Sequence, residues 1–504
     1  MREALKPHLA AIAANPHDAG AHAALFLFPR LCLRRDVLHT NRGAQQRGQR
    51  DKKWRNARAD MMAAQASADN MEKRITRFTK GNVEGLLNDF LALESKLSAF
   101  VSAIKPTTIN DLRRFTAAHT EAGNGDLRAA VMKLSETAGA VNNSDEARRV
   151  LSPLHPTEGG LSPAEMTSLR GYAASQPGLE LDEGAVTIAL RGSRSRAAPG
   201  PSGWNFKHWK DIALEDHETL TALTGFLNVT MMKGCLPVPL QMMWGACNTI
   251  ALAKAAQSGY RPISMGDVLR RLAGKAGMRA LLARNKGLEK HFEPLQWAVN
   301  SKAGTEKVVH TMRGALEMYP GNLLIAVDSR NAFNSMNRGA FIHALSTSPF
   351  RALLPLVSQF YSVQGELILR GKNGLSVMNS VSGQQQGDTL GTLLFCIGLQ
   401  PVLRDIHEKF CHRGLIIRAY ADDVFLNGPP DVAVEAYKML KDRMAALGLQ
   451  VATSDTGTKT RAWSPAWEAD GAATAAAQSS PPRFAPRPAS PPAARPPSSS
   501  HLPA

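Results

Sequence analysis

The sequence predicts an α+β fold, in which short strands alternate with helices, behind a mainly helical and basic N-terminal region. Two observations support this fold class. First, hydrophobic residues make up 44% of the 504 residues, which is enough for a sizeable core. Second, from residue 322 onward the chain alternates between runs typical of buried strands, hairpins and amphipathic helices, whereas residues 70–150 carry only helical periodicity.

The N-terminal part divides into an arm and a helical region. Residues 1–69 are predicted to be a basic, partly disordered arm, because a dense run of cations follows residue 33. A solvated segment and a nucleic-acid-binding arm are equally good interpretations of such a run. The residues that would contact nucleic acid are Arg34, Arg35, Lys52, Lys53, Arg55 and Arg58. Residues 70–184 are predicted to be a helical region without an assigned role, since apolar residues recur there at helical spacing.

Two cations flank the turn of a predicted hairpin. Residues 249–254 predict a strand, and residues 260–264 predict an extended segment that follows a glycine turn. Such a hairpin would bring Lys254 and Arg261 toward one polyphosphate. Two unrelated surface cations are the simpler alternative.

An acid closes an uninterrupted apolar strand. Five apolar residues, 323–327, precede Asp328, and such a run is typical of a strand that is buried on both faces. Asp328 would therefore emerge from the core at a fixed place, where a catalytic group is usefully mounted. A helix cap or an ordinary turn is the commoner role of an Asp at the end of a strand.

A second hairpin leads into a loop rich in amides. Residues 365–371 and 375–381 flank Lys372-Asn-Gly374, which is a strong hairpin signal. The loop that follows, Ser382-Gly-Gln-Gln-Gln-Gly-Asp388, suits close approach by a planar or phosphate-bearing ligand. It opens an apolar run, residues 389–400, that is long enough to be a buried helix.

Two adjacent carboxylates lie in the middle of an apolar run. Residues 415–420 predict one strand and residues 424–426 a second, so Asp422 and Asp423 fall at the turn between them. Two carboxylates that are forced together repel each other unless a cation lies there. A hard divalent ion such as Mg²⁺ prefers oxygen ligands. An ordinary polar turn is the alternative for an isolated Asp-Asp pair.

Composition restricts the classes of partner. The net charge of +17 favours nucleic acid over an acidic membrane surface. The five cysteines form no cluster at metal-binding spacing, which argues against zinc fingers and fits a reduced intracellular protein. The chain shows no signal peptide and no apolar run of membrane length, so we expect no membrane contact. Residues 466–504 are rich in Ala, Pro and Ser and are predicted to be a disordered tail.

Taken together, these stretches resemble the reverse transcriptases of non-LTR retrotransposons, and in particular the site-specific type found in trypanosomatids. Tyr420-Ala-Asp-Asp423 is similar to the family's Tyr-x-Asp-Asp motif, and Asp328 through Phe333 is similar to the first acidic motif of its palm. The other segments that resemble the family, in chain order, are residues 199–204, 250–254 with 261–263, and 383–395. The resemblance covers residues 185–465.

The resemblance implies a right-hand polymerase with fingers and a palm, the palm being an antiparallel sheet with packed helices. It implies an RNA-directed DNA polymerase, in the nucleus, that uses two Mg²⁺ ions, for which Mn²⁺ can substitute. Asp328, Asp422 and Asp423 would be the catalytic residues and the metal ligands. The nucleotide would be bound by Lys254, Arg261, Phe333, Gln386, Gly387 and Tyr420. The partners would be an RNA template, a DNA primer or nicked target DNA, and dNTPs; protein partners are not indicated.

Three departures from the family suggest an alternative. Thr389 and Thr392 stand where the family usually has Pro, and Asp455 stands where it has a late Lys, with Lys459 as the nearest cation. No segment large enough for a thumb follows residue 465, so we expect impaired activity. The alternative is a decayed, thumbless remnant that binds nucleic acid without catalysis. A basic helical scaffold with coincidental motifs is a third interpretation.

Overall fold

The computed structural model describes residues 1–33, 65–101, 140–158, 160–195, 197–234, 236–254, 259–452 and 460–466. Helices and antiparallel strand pairs are mixed in this part of the chain, so the α+β prediction is confirmed. The predictions for the cationic run from Arg34 to Arg58, for Asp455 and Lys459, and for the tail beyond residue 466 lie outside the described residues.

The helices are named here in chain order. They are α1 (Arg2–Ala14), α2 (Ala19–Cys32), α3 (65–79), α4 (Val83–Val101), α5 (Ser144–Leu151), α6 (Pro163–Ser175), α7 (Glu183–Arg191), α8 (Phe206–Ala213), α9 (His217–Phe226), α10 (Val238–Gly245), α11 (Val268–Arg284), α12 (Gly304–Met318), α13 (Ala332–Ser335), α14 (Arg338–Thr347), α15 (Leu354–Tyr361), α16 (Gly391–Phe410) and α17 (Pro430–Ala446). Shorter helical turns, one of them a π-helix directly after α9, connect several of these helices. They span Ser152–Leu154, Leu227–Met232, Leu288–His291, Arg351–Leu353 and Cys411–Arg413.

The strands fall into two larger sheets and one small ladder. They are β1 (Cys247–Ala253), β2 (Tyr260–Gly266), β3 (Leu323–Val327), β4 (Ser329–Arg330), β5 (Gly365–Gly371), β6 (Gly374–Ser380), β7 (Ile416–Tyr420), β8 (Asp423–Gly428), β9 (Gln450–Val451) and β10 (Arg461–Trp463). The ladder pairs β4 with β9.

The first sheet joins the two hairpins that the sequence predicts. Its order is β2-β1-β5-β6, in which β1 pairs with β2 and β5 with β6, both antiparallel. The two hairpins meet through a parallel pairing of β1 with β5, which the sequence did not indicate. Helix α5 packs against this sheet, and a small hydrophobic cluster that includes Leu151, Cys247 and Leu367 lies between them.

The second sheet has the order β10-β3-β8-β7 and is antiparallel throughout. Residues 323, 325 and 327 of β3 are buried, whereas residues 324 and 326 are half-buried. The prediction that this strand is buried on both faces is therefore wrong. Helices α16 and α17 pack against strands of this sheet from the core side, while α12 contacts β7 and β8. The half-buried side chains form the opposite face, called here the open face, which α12 covers only in part.

Residues 1–33 of the predicted arm form two packed helices instead. Leu5, Leu9 and Phe28 are fully buried in the main hydrophobic core. The ring of Phe28 stacks on Trp204 with the centroids 5.7 Å apart, and the indole N–H of Trp204 donates to the carbonyl of Leu25 at 2.9 Å. Trp204 ends the first segment that resembles non-LTR enzymes, so this segment binds the N-terminal helices.

None of the helices in the described part of the chain is long and apolar enough to cross a membrane.

Candidate active site

The backbone of Asp328 is fixed on both sides by strand pairing. Before it, β3 pairs with β8, and after it, β4 pairs with β9. Its own N–H donates to the hydroxyl of Thr460 at 3.2 Å, and its carbonyl accepts from the N–H of Ala452 at 2.9 Å. Asp328 thus lies between the consecutive strands β3 and β4, and the pairing of both strands fixes the position of its backbone.

The register of the second sheet brings the three acids to one end. Val327 lies opposite Val424, and Tyr420 lies opposite Asp423 across the β7–β8 turn. Continued by one residue, the pairing of β3 with β8 places Asp328 opposite Asp423. The turn itself consists of Ala421 and Asp422. Strand pairing therefore brings Asp328, which is distant in sequence, to the same end of the sheet as the β7–β8 turn.

These acids are accessible from the open face. Asp328 and Asp422 are half-buried, and Asp423 and Tyr420 are exposed. Side chains alternate along a strand, and Asp423 shares its face of β8 with the half-buried Phe425. A ligand on this face can reach the carboxylates without entering the core.

The donor set suits a hard divalent cation, because carboxylate oxygens are the ligands that Mg²⁺ and Mn²⁺ prefer. The side chains are not arranged as a ready metal site, however. Within the described residues, no group of three or more His, Cys, Asp or Glu side chains could hold a metal ion. The metal-binding roles of Asp328, Asp422 and Asp423 thus stay predictions.

The turn that carries Asp422 holds a strained residue. Ala421 has φ +55°, a left-handed conformation that is unfavourable for a residue with a Cβ atom. Its N–H donates to Oε1 of Gln296 at 2.8 Å, and its carbonyl accepts from Nε2 of Gln296 at 3.1 Å. The role of Gln296 was not predicted from the sequence, because its neighbours form no recognisable motif.

The amide-rich loop connects the first sheet to the acidic segment. Its Gln386 carbonyl accepts from the N–H of Ser264 in β2 at 2.7 Å. Gly387 follows with φ +119°, and a Cβ atom there would lie 2.3 Å from the Ser264 carbonyl oxygen, so only glycine fits. At the other end, the N–H of Gln384 donates to the carbonyl of Phe333 at 2.6 Å.

The three glutamines of this loop have different environments. Gln384 and Gln385 are buried, and Oε1 of Gln385 accepts from the Cys247 thiol at 3.0 Å. Gln386 is half-buried and Gly387 is exposed. Gln386 is therefore the most accessible of the three glutamines, and its role in nucleotide binding stays a prediction.

Phe333 is half-buried, and its ring stacks on Phe395 of α16 with centroids 4.9 Å apart and planes 21° from parallel. This contact fixes the ring orientation from one side.

Lys254 and Arg261 lie on one face of the β1–β2 hairpin. Arg261 pairs with Leu252, and Lys254 is two residues beyond Leu252, so both cations project to the same side. Arg261 is exposed and Lys254 is half-buried. The hairpin thus places both cations on one face, while the six basic arm residues lie outside the described part of the chain.

A buried cation that the sequence analysis also missed holds the amide-rich loop. Arg338 is buried, and its guanidinium donates to the carbonyls of Gly383, Val363 and Ser380 and to the Ser380 hydroxyl. Burial lowers the pKa of Arg338 to about 10. Arg338 thereby ties the loop to the end of β6.

Comparisons with known proteins agree with the resemblance. Residues 252–467 match the family described as reverse transcriptase (RNA-dependent DNA polymerase). The chain is 27% identical over 287 residues to the retrotransposable element SLACS 132 kDa protein of Trypanosoma brucei gambiense, a match that covers 55% of this chain. The chain spans only 23% of the length of that relative. The predicted resemblance to a non-LTR retrotransposon reverse transcriptase of the trypanosomatid type is confirmed.

Proposed function

We propose that this chain, in which residues 252–467 are a reverse transcriptase domain, copies RNA into DNA by metal-assisted nucleotidyl transfer. Its origin would be a retrotransposon, as the name of its relative indicates. The observation that carries the proposal is the register of the second sheet, in which Val327 lies opposite Val424 and Tyr420 opposite Asp423. This pairing supports a shared site for Asp328, Asp422 and Asp423.

In this proposal the second sheet is the palm and the first sheet belongs to the fingers. Asp328 and Asp422, with Asp423 beside them, hold two Mg²⁺ ions. Bound there, the ions neutralise charge on the attacking 3′-oxygen, the triphosphate and the leaving pyrophosphate. The carboxylates lie on the open face, where a primer end can approach.

The nucleotide would lie between the fingers and the palm. Lys254 and Arg261 face the same side of their hairpin and would bind the triphosphate. Gln386 and Gly387 would line the pocket, since their loop is bonded to β2 at one end and to Phe333 at the other. The Phe333 ring would lie beneath the sugar, and Tyr420 would border the acids.

The template and primer would be held mainly through their phosphates. The net charge of +17 favours such contacts. The arm residues Arg34, Arg35, Lys52, Lys53, Arg55 and Arg58 would contribute to them. An RNA template, a DNA primer or nicked target DNA, and a nuclear location complete the proposal.

The decisive experiment is primer extension on poly(rA)·oligo(dT) with Mg²⁺. In the full chain, Asp328→Asn and Asp422→Asn should each lower the rate by about 10³-fold or more, a barrier increase of roughly 4 kcal/mol. Template binding should survive in both variants, because Asn has nearly the shape of Asp and lacks only the negative charge of the carboxylate. Exposed Asp442 on α17 offers a matched control, and Asp442→Asn should extend primers normally.

Near-normal extension by either Asn variant would overturn the assignment of the acids. If the unchanged chain binds template but makes no product with Mg²⁺ or Mn²⁺, the decayed remnant is the better description.

A further inference from the structure

We propose that Gln296 is a positioning residue for the acidic hairpin: it holds Ala421 in the left-handed conformation that places Asp422 and Asp423. This inference rests on the proposed function, since it concerns the geometry of the same acids.

Gln296 binds the turn as a neighbouring strand would. It is 1% exposed, its Oε1 accepts the Ala421 N–H at 2.8 Å, and its Nε2 donates to the Ala421 carbonyl at 3.1 Å. One side-chain amide therefore satisfies both backbone groups of the strained residue. Without it, two buried polar groups at the turn would lose their partners.

The conformation of Ala421 needs such support. Its φ of +55° is easily adopted by glycine but not by residues that carry a Cβ atom. Asp422 follows directly, so a change of φ at Ala421 would redirect the chain at the acids. The two hydrogen bonds from Gln296 fix this dihedral from both sides of the residue.

The segment that carries Gln296 is itself fixed to the hairpin. The N–H of Ala419 in β7 donates to the Leu295 carbonyl at 2.6 Å, and the N–H of Trp297 donates to the Ala419 carbonyl at 2.9 Å. Gly304, the first residue of α12, packs closely against Trp297 of this segment and against Tyr420. A Cβ atom there would lie 2.2 Å from the Trp297 carbonyl oxygen and 3.1 Å from the Tyr420 ring.

A purely structural role is the competing explanation, and the chain contains a matched example of it. Gln359 in α15 is fully buried and also makes two backbone bonds with its amide: it accepts from Leu236 N–H at 3.2 Å and donates to the Thr230 carbonyl at 3.0 Å. These bonds lie away from the acids. Gln359→Leu thus reproduces the chemical loss of Gln296→Leu without touching the hairpin.

The first measurement is hydrogen exchange in the full chain, resolved to single residues by fragmentation. Gln296→Leu should speed exchange of the Ala421 amide at least tenfold, because that N–H loses its acceptor. Gln296→Glu should change it less, since an acceptor oxygen is retained. Gln359→Leu should leave the Ala421 amide unchanged. Equal exchange at Ala421 in Gln296→Leu and the unchanged chain would overturn the proposal, whether or not the protein has polymerase activity.

The second measurement is primer extension, which separates positioning from general stability. Gln296→Leu should lower kcat at least tenfold while the KM for dNTP changes less than threefold, and Gln359→Leu should keep kcat. Adding Ala421→Gly to Gln296→Leu should restore much of the lost kcat, because glycine adopts positive φ without help. No rescue, or equal loss in the Gln359 variant, would assign Gln296 a merely structural role. If the unchanged chain is inactive but Gln296→Leu speeds exchange of the Ala421 amide, the proposed function is refuted. The role of Gln296 in holding the turn is then still supported.

Discussion

At the scale of single residues, the candidate site depends on main-chain contacts with distant segments. Thr460, which accepts the Asp328 N–H, lies 132 positions later in the chain. Gln296 lies 125 positions before Ala421, which it holds. The backbone at Asp328 and at the turn before Asp422 is thus held by residues that share no local pattern with the acids. Substitutions at such supporting residues should change the geometry of the acids without removing a carboxylate.

Phe333 offers a test of sugar selection. If its ring lies beneath the sugar, it should block a 2′-hydroxyl by contact, and Phe395 stacked 4.9 Å away keeps the ring in place. Phe333→Val should therefore raise incorporation of ribonucleotides relative to deoxyribonucleotides by about tenfold, an energy difference of roughly 1.4 kcal/mol. Competition between the two nucleotide types in primer extension measures this ratio.

Phe350→Val is the matched control for that test, because Phe350 is fully buried in the same core and touches other aromatic rings. It should cost stability and leave the ratio unchanged. If Phe333→Val remains active with an unchanged ratio, Phe333 only packs against α16.

The acids of the candidate site were easier to predict than the residues that hold their backbone. Asp328, Asp422 and Asp423 stand out because carboxylates interrupt apolar strands, a conflict visible in the sequence. Gln296 and Arg338 satisfy backbone groups of segments that the chain reaches only by folding. A buried polar side chain of this kind has no periodic or local sequence signal, since its partner can be any carbonyl or N–H in the molecule.

At the scale of elements, the N-terminal helices α1 and α2 are part of the main core. His22 in α2 is fully buried and lies between Trp244 of α10 and the Pro16 carbonyl. Because an indole N–H can only donate, Nδ1 of His22 must accept from Trp244 at 3.0 Å, and Nε2 donates to Pro16 at 3.0 Å. The sequence could not show this docking, because α2 packs in part against side chains from beyond residue 200, among them Trp204 and Trp244.

This histidine should make stability depend on pH. Burial lowers the pKa of His22 below its usual 6.5, although Asp18 and the bond to Pro16 oppose the shift. The neutral ring therefore contributes stability that is complete above pH 6.5 and is lost as the pH falls through the folded-state pKa. We expect Tm to fall between pH 6.5 and 5, and less so in His22→Gln, which can keep both hydrogen bonds without titrating. Thermal unfolding across pH 5–7.5 measures the difference.

A comparison between variants is necessary, because burial also lowers the pKa of His8, His155, His208 and His291. These imidazoles contribute with the same sign in every variant that retains them. Exposed His310 is the control, and His310→Gln should follow the unchanged chain. Identical pH profiles for His22→Gln and the unchanged chain would show that His22 does not carry this dependence.

At the scale of the whole molecule, the strand and hairpin pattern was predictable and the joining of the sheets was not. Residues 365–371 and 374–380 form the hairpin that Lys372-Asn-Gly374 indicates. The parallel pairing of β1 with β5 has no local signal, because parallel neighbours are brought together by the intervening fold. The prediction that β3 is buried on both faces was wrong for a related reason. A continuous apolar run does not reveal that one side of its strand is only partly covered by α12.

Nucleic-acid binding by the whole chain should be strongly dependent on salt. Each phosphate neutralised by a Lys or Arg releases counterions, so the logarithm of the binding constant falls linearly with the logarithm of salt concentration. Replacing Lys52, Lys53 and Arg55 together by Ser should flatten this slope by about 1 for each phosphate contact removed. Fluorescence anisotropy with a labelled RNA–DNA hybrid between 50 and 300 mM KCl measures the slope.

Three exposed cations of α17 provide the control, since this helix packs on the core side of the second sheet, away from the acids. Replacing Lys438, Lys441 and Arg443 by Ser removes the same net charge and should leave the slope close to that of the unchanged chain. Equal slopes in both triple variants would mean that the arm makes no specific phosphate contacts.

The order of strands in the second sheet also determines when it can form during synthesis. Strand β3 lies between β10 and β8, so both of its neighbours are made later than β3 itself. At about 5–20 residues per second, β3 waits on the order of ten seconds before Trp463 has been added. During that interval a strand of five apolar residues has two unpaired edges, which makes it prone to pair with other chains. The segment that precedes Asp328 is therefore one that a chaperone would need to shield in a nascent chain.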